Sequence, residues 1–388
     1  MEKKLIRKCP ICNSDSGEIL HHQSFADLDM YELPKDYDIV CCHRCGFVFA
    51  DTQASQQDYS RYYQEFSKYE SGGTPVWTTE KMKPLSKFLP DKEASILDIG
   101  CANGELLVEL KKIGYKNLTG LDPAKVCVQN ARNNEIDTVE GELFSINSVI
   151  PDKKFDCIVL SHVLEHIRDL EKAADIMSNN LNDGGVLYIE VPDASRYSEF
   201  FIVPYYFFDT EHINHFDENS LNNLFLQKGF DLLQYEKKVI NQMDSNKLYP
   251  IVYAIYKKTN KKENIKNIVK NLKVRDSVLA HIKESEEKSK WPEIDRIANS
   301  KEKIVVWGAG SHALRLLNNS SLSKCNIEFF IDKDPKKQGM KMKNIPIYSS
   351  EKLKMHKGPV VVCSALYSDD IAKEIKNMGA ENIIIVMK

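Results

Sequence analysis

Residues Ala94–Leu110, "ASILDIGCANGELLVEL", decide the fold. The apolar run SILDI reads as a buried strand, GCANG as a tight turn, and ELLVEL as the start of an amphipathic helix. Strand, glycine turn and helix in that order open a parallel sheet with covered faces, whose ligands sit at the carboxyl ends of the strands. Gly100 and Gly104 let the backbone approach such a ligand. Asp122, which ends the next strand in "LTGLDP", is placed for ribose hydroxyls. The arrangement suits an adenosine-containing cofactor. It is not the dinucleotide fingerprint, because GCANG lacks the G-x-G-x-x-G spacing that seats a pyrophosphate on a helix N-terminus.

From residue 67 to about 257, short apolar strands alternate with amphipathic helices. "LDIGCANG" resembles the first motif of class I S-adenosylmethionine-dependent methyltransferases, and the later motifs follow in order: "VEGELF", then "FDCIVLSHVLEHI" as the fourth strand and "LNDGGVLYIEVP" as the fifth. That resemblance implies S-adenosylmethionine as cofactor, held by Asp98, Gly100, Cys101, Gly104, Asp122, Pro123 and Ser161, with Glu142 and Leu143 beside the adenine.

Residues 1–66 carry "CPIC" and "CHRC": Cys9, Cys12, Cys42 and Cys45, two CxxC pairs with 29 residues between them. Two such knuckles present four thiolates tetrahedrally to zinc, and a closed four-thiolate shell is structural. Cys41 is expected to be a bystander. Redox pairs come singly beside a βαβ unit, which this segment lacks. The other cysteines of the ten are scattered through apparent strands and helices, as reduced thiols are.

The whole chain sets wider bounds. Its 388 residues exceed what one core organises, and two or three domains are expected. A net charge of −3 with signs mixed throughout argues against nucleic acid as the main partner and offers no polybasic membrane face. The start, "MEKKLIRKCPIC", has no signal-peptide core, and no apolar run approaches a membrane span, so a cytoplasmic location is expected. Residues 258–300 are rich in lysine and glutamate, with Ile, Val and Leu at helical spacing, and read as a helical connector. Residues 301–388 form a second α/β unit. There Gly308, Gly310 and Ala313 match G-x-G-x-x-A and Asp332 follows at the spacing of a ribose ligand. Only 88 residues remain, however, room for one mononucleotide half where a dinucleotide needs two.

The order of zinc knuckle, methyltransferase core and small α/β tail resembles the three-domain sugar C-methyltransferases that act on nucleotide-linked keto-deoxysugars. The expected fold class is therefore α/β: a class I methyltransferase doubly wound sheet, an N-terminal zinc-binding domain, and a C-terminal Rossmann-like α/β domain that supports the substrate. In "DTEHINHF", the resemblance assigns Glu211 and His212 to the sugar, with His212 as base and Glu211 orienting it or the sugar; His215 is expected to be dispensable. It places His166 in the active site and Tyr69 over the methionine end of the cofactor, with Tyr62 and Tyr63 in the same entrance segment. "HVLEH" also matches the H-x-x-E-H of inverted zinc proteases, but that motif belongs within a long helix and this one follows a strand. Two positions depart from the family: Asp209 replaces its tyrosine before the Glu-His pair, and "SALYSDD" replaces its tryptophan-asparagine pair. An O-methyltransferase acting on a sugar hydroxyl, or a binding protein that keeps the fold without catalysis, therefore stay open. The expected partner is a nucleotide-linked sugar, with neither nucleic acid nor membrane, for a monomer or small homo-oligomer.

Overall fold

The computed structural model describes residues 2–28, 33–65, 78–242, 245–259, 268–379 and 382–388. They fall into two compact units. The first comprises Met1–Leu20, Val40–Tyr197 and Glu211–Val278; the second comprises His21–Ile39, Ser198–Thr210 and Leu279–Lys388. The expected boundary at 66/67, and Tyr69 with it, lies outside the described residues. The helix Pro292–Ser300 ends where the C-terminal segment was expected to begin.

The first unit is built on a seven-stranded sheet in the order Phe230–Asn241, Leu248–Lys258, Leu181–Pro192, Phe155–Ser161, Ser95–Ile99, Asn117–Asp122 and Asp137–Glu140. Leu248–Lys258 runs antiparallel to both of its neighbours, and the ladders from Leu181–Pro192 to Asp137–Glu140 are parallel. The central strands are apolar on both faces because both are covered. Ile96, Cys157 and Val159 pack with Leu106, Leu107 and Leu110 on one side. Their alternates Leu97, Ile99, Ile158 and Leu160 pack with Leu170, Ala173 and Met177 on the other. Each fully buried Leu or Ile contributes about 1.5–3 kcal/mol, so this two-sided pattern fixes the register.

The chain leaves Ser95–Ile99 toward Asn117–Asp122 on one side and later returns to place Phe155–Ser161 on the other. That reversal opens a crevice at the carboxyl ends of the two central strands, where ligands of doubly wound sheets bind. Gly100 follows one of these strands and His162 the other.

A smaller sheet takes the order Glu2–Lys4, Ser16–Ser24, Asp36–Cys42, Val48–Asp51 and Asn214–His215. Its last pairing sets Asn214 opposite Phe49 and His215 opposite Val48.

The second unit has a six-stranded sheet in the order Lys341–Met342, Ile345–Tyr348, Asn326–Ile331, Lys303–Trp307, Val360–Val362 and Ile384–Val386, parallel except at its first pair. Val305, Trp307, Phe329, Ile331, Ile371 and Ile375 form its core. His21 stacks on Tyr205 with ring centroids 4.6 Å apart, and Arg315 donates to the carbonyls of Tyr205 and Phe208, each at 2.7 Å. Among the described residues no helix is long and apolar enough to cross a membrane.

Candidate active site

At the first glycine turn, Gly100 (φ 73°), Ala102 (φ 47°) and Gly104 (φ 81°) are all left-handed. The Gly100 N–H donates to Leu121 O at 2.7 Å. Asp122 accepts the N–H of Ala102 on Oδ2 and that of Ala124 on Oδ1, both at 2.9 Å, which fixes its carboxylate at the mouth of the turn. Glycine is required at position 100 for contact as well as conformation: a Cβ there would lie 2.5 Å from Val163 Cγ2. The segment after the Phe155–Ser161 strand thus packs directly on the turn. Asp98, Cys101 and Leu143 are buried around it, and Pro123 is half-buried. Burial, with the charges of Asp98 and Asp122, pushes the Cys101 thiol well up and keeps it protonated. Ser60 Oγ donates to Glu142 Oε2 at 2.5 Å, and Ser161 Oγ to Glu190 Oε1 at 3.0 Å.

The Asp209–Phe216 stretch is not one helix. Asp209 and Thr210 belong to the second unit, Glu211 and His212 open the return to the first, and Asn214–His215 is a short strand. Glu211 is buried and accepts from Tyr62 Oη on Oε1 (2.8 Å) and from Tyr63 Oη on Oε2 (3.3 Å). Its carbonyl oxygen, which can only accept, lies 2.9 Å from His166 Nδ1, so that nitrogen carries the proton. The rings of His166 and His212 meet edge-on with centroids 4.8 Å apart. Asn214 ties this segment to the Leu164–His166 turn: its amide donates to the carbonyls of Leu164 (3.2 Å), Glu165 (3.2 Å) and Ile167 (2.7 Å). Arg7, itself buried, donates to Asn214 Oδ1 at 2.9 Å and to Ile213 O at 3.3 Å. Two imidazoles are thereby held against each other, His166 three residues after the Val163 that packs on Gly100, and an imidazole can take an acidic proton from a bound substrate.

A family model described as "Methyltransferase domain" matches residues 77–235, the stretch that holds both the turn and the histidines. The domain is a class I S-adenosylmethionine-dependent methyltransferase. A second model, "C2185-like, N-terminal", matches residues 300–386. The tRNA U34 carboxymethyltransferase of Campylobacter hominis is 31% identical over 114 residues, covering 28% of this chain and 40% of that one. The mitochondrial ubiquinone biosynthesis O-methyltransferase of Dictyostelium discoideum is 24% identical over 124 residues, covering 28% and 39%. The chain thus spans about two fifths of the length of these relatives. A solved S-adenosylmethionine-dependent methyltransferase of Methanosarcina mazei, 19% identical, covers 46% of this chain and 98% of its own with a TM-score of 0.38.

The residues of the methyltransferase domain fit the cofactor of its class: a left-handed glycine turn opens the backbone, and a fixed carboxylate lies at the end of the second core strand. In the N-terminal segment, Cys9, Cys12, Cys42 and Cys45 are all buried, and their sulfurs lie within 4.8 Å of one another. The Cys9–Cys45 and Cys12–Cys42 separations are 3.5 and 3.4 Å, near the roughly 3.8 Å that tetrahedral thiolates about 2.3 Å from zinc would take. The two knuckles match in detail. The residue after each second cysteine is left-handed, Asn13 at φ 59° and Gly46 at φ 80°, and donates back to the first, to Cys9 O at 2.8 Å and Cys42 O at 2.9 Å. Hydrogen bonds from Cys12 and Cys45 pull the Cys42 thiol down, while burial pushes Cys9 up. Burial also pushes Cys41 up to about 12, and its Sγ approaches backbone carbonyls instead.

The structure refines two readings. His215 is fully buried beside Tyr197, whose Oη lies 3.4 Å from Nδ1, so it belongs to the core and its loss would be felt by the fold. In "HVLEH", His162 stands at a strand end with φ 55° and Leu164–His166 is a 3-10 turn, so the helix that a zinc protease needs is absent from this stretch. Arg7, Asn214 and Glu165 escaped sequence reasoning. Asn214 sits in plain view inside "HINH", but its partners lie roughly 50 residues away, and no spacing announces them.

Proposed function

We propose that the methyltransferase domain methylates a nucleotide-linked keto-deoxysugar at carbon, with His212 as the base that forms the enolate. The observation that supports this reading is the packing of Val163, three residues before His166, on Gly100, together with the edge-on contact of His212 with His166. When bound, S-adenosylmethionine supplies a methyl group already activated by the sulfonium. The chain's own residues align the acceptor and make it nucleophilic. Asp122 takes the ribose hydroxyls. His212 removes a proton from the carbon beside the ketone, and the electron pair moves onto the carbonyl oxygen. Tyr62 and Tyr63 hold the Glu211 carboxylate still, so that it presents a fixed acceptor to a sugar hydroxyl. Cys9, Cys12, Cys42 and Cys45 hold a structural zinc in this reading, and a closed thiolate shell leaves it no part in the reaction.

A keto-sugar nucleotide deuterated beside its carbonyl tests the assignment. His212→Ala should lower turnover by about 10²–10⁴-fold, with affinity for S-adenosylhomocysteine kept. The deuterium should wash out in a His212-dependent way. Methylated product that retains it would point to a hydroxyl acceptor, and full activity in His212→Ala would remove the base.

A further inference from the structure

Glu165 lies beneath the histidines and is 1% exposed. Neither of its carboxylate oxygens accepts a well-aligned hydrogen bond among the described residues, which is costly for a buried carboxylate. Its neighbours are instead imidazoles. His162 Nδ1 is 3.3 Å from Oε1, close enough for an ion pair though off the hydrogen-bond axis, and His166 Nε2 is 3.9 Å away. A nitrogen of His212 completes a group whose ligand atoms all lie within 4.8 Å of one another.

The tautomer of His166 sharpens the point. Its Nδ1 proton is committed to the Glu211 carbonyl, so in neutral imidazole Nε2 would turn a lone pair toward a carboxylate. Two electron-rich groups facing each other in a buried site call for a positive charge between or upon them. The proton that His212 takes from the substrate supplies it. Behind Glu165, His162 Nε2 lies 3.5 Å from Glu190 Oε1, and Glu190 also accepts from Tyr188 Oη at 2.8 Å and from Ser161 Oγ. Tyr197 also stands in the field of Glu165, its phenol pushed well up by burial and by that charge, so it stays neutral. His162 is held left-handed at φ 55°, a strained conformation for a non-glycine residue, and such strain gathers at functional sites.

We propose that Glu165 is the buried counter-ion of the His166–His212 pair, a positioning residue that stabilises the imidazolium formed when the substrate's proton arrives. This rests on His212 being the acceptor. In the step, the C–H bond beside the carbonyl breaks, its proton goes to the imidazole, and its electron pair stays with the sugar as enolate. The enolate carbon then bonds to the methyl group as the sulfur–methyl bond breaks, and the imidazolium later returns its proton to water. Glu165 neutralises the transient positive charge throughout and exchanges no proton itself. Although burial works to raise its carboxyl, the charges of His166 and His162 overcome this and hold it down at about 2, so it is ionised at neutral pH.

Histidine-selective ¹³C NMR of the full chain, without substrate, tests this directly. Signals are assigned with His166→Ala and His212→Ala, and the exposed His22 serves as internal control. In Glu165→Gln, which keeps the side-chain shape, the titration midpoints of His166 and His212 should fall by one pH unit or more, a tenfold or greater loss of proton affinity, while His22 stays put. Glu165→Asp should fall between and gives the same reading if the glutamine variant does not fold. Unmoved midpoints would overturn the proposal. So would manganese chloride that broadens both signals in the wild type and not in Glu165→Gln, because the group would then be a metal site. Full methyl transfer by His212→Ala would instead remove the base assignment and leave the midpoint shift standing.

Discussion

The two glycine turns of this chain are built alike and surrounded differently. In the methyltransferase domain, Gly100 donates to Leu121 O at 2.7 Å, and Asp122 accepts the N–H groups of Ala102 and Ala124. In the second unit, Gly308 donates to Ile331 O at 2.8 Å, and Asp332 accepts those of Ala309 at 2.8 Å and Asp334 at 2.9 Å. The same strand–turn–helix grammar produces the same backbone hydrogen bonds. The surroundings then diverge. Asp332 already has Lys337 Nζ 3.5 Å away, and a Cβ on Gly308 would lie 2.6 Å from the backbone oxygen of Cys363, so main chain and not a side chain packs on that turn. Around Gly100, by contrast, Val163 presses on the turn and brings its histidine-bearing segment with it. A glycine-aspartate pattern therefore prescribes a turn, and what the turn binds is decided by side chains distant in sequence.

Three perturbations sharpen or break this contrast. The largest effect belongs to the cysteines, which pack into the core cluster of the first unit, while the second unit relies on its apolar core. One zinc per chain is expected, and Cys12→Ser with Cys45→Ser should forfeit a metal-binding free energy on the order of 10 kcal/mol. Hydrogen exchange should then rise in residues 1–20 and 40–51 and stay unchanged in 301–388. Metal analysis that finds no zinc would break the claim.

Next in size is acid. Burial pushes His281 and His312 of the second unit down to about 3 each, with the charge of Arg315 adding to it. Both folded values lie below the unfolded one near 6.5, so the unfolded chain takes up protons first. Stability from these neutral histidines is full above that value and is lost as pH falls toward about 3. At pH 5 each should cost up to about 2 kcal/mol. Glu165 loses stability in the same direction but in a lower window: its contribution is full above the unfolded value near 4.5 and is lost as pH falls toward about 2. Lowering pH from 7 to 5 should therefore raise exchange in peptides from 279–388 more than in those from 94–192. Equal losses would mean that the two units do not differ in this respect.

What the sequence made legible follows the range of the interactions. Gly100, Gly104 and Asp122 belong to a local unit of about 30 residues, and the CxxC pairs announce themselves by spacing. Glu165 stood within "HVLEH" and was weighed only as a protease glutamate, because its meaning depends on His162, His166 and His212 converging on it. Asn214 and Arg7 work through bonds spanning some 200 residues, which period and propensity do not encode. The division of the chain was hidden for the same reason. Residues 21–39 and 198–210 join the second unit through contacts such as His21 on Tyr205, far from the C-terminal segment in sequence.

The smallest effect is the most direct test, since it sets one turn against the other. Calorimetric titration of the full chain with S-adenosylhomocysteine should give one equivalent bound. Asp122→Ala should weaken binding by about 1–3 kcal/mol through unpaired ribose groups, and Asp332→Ala should leave it unchanged. No binding by the wild type, or weakening by Asp332→Ala in place of Asp122→Ala, would contradict the assignment of the cofactor to the first turn.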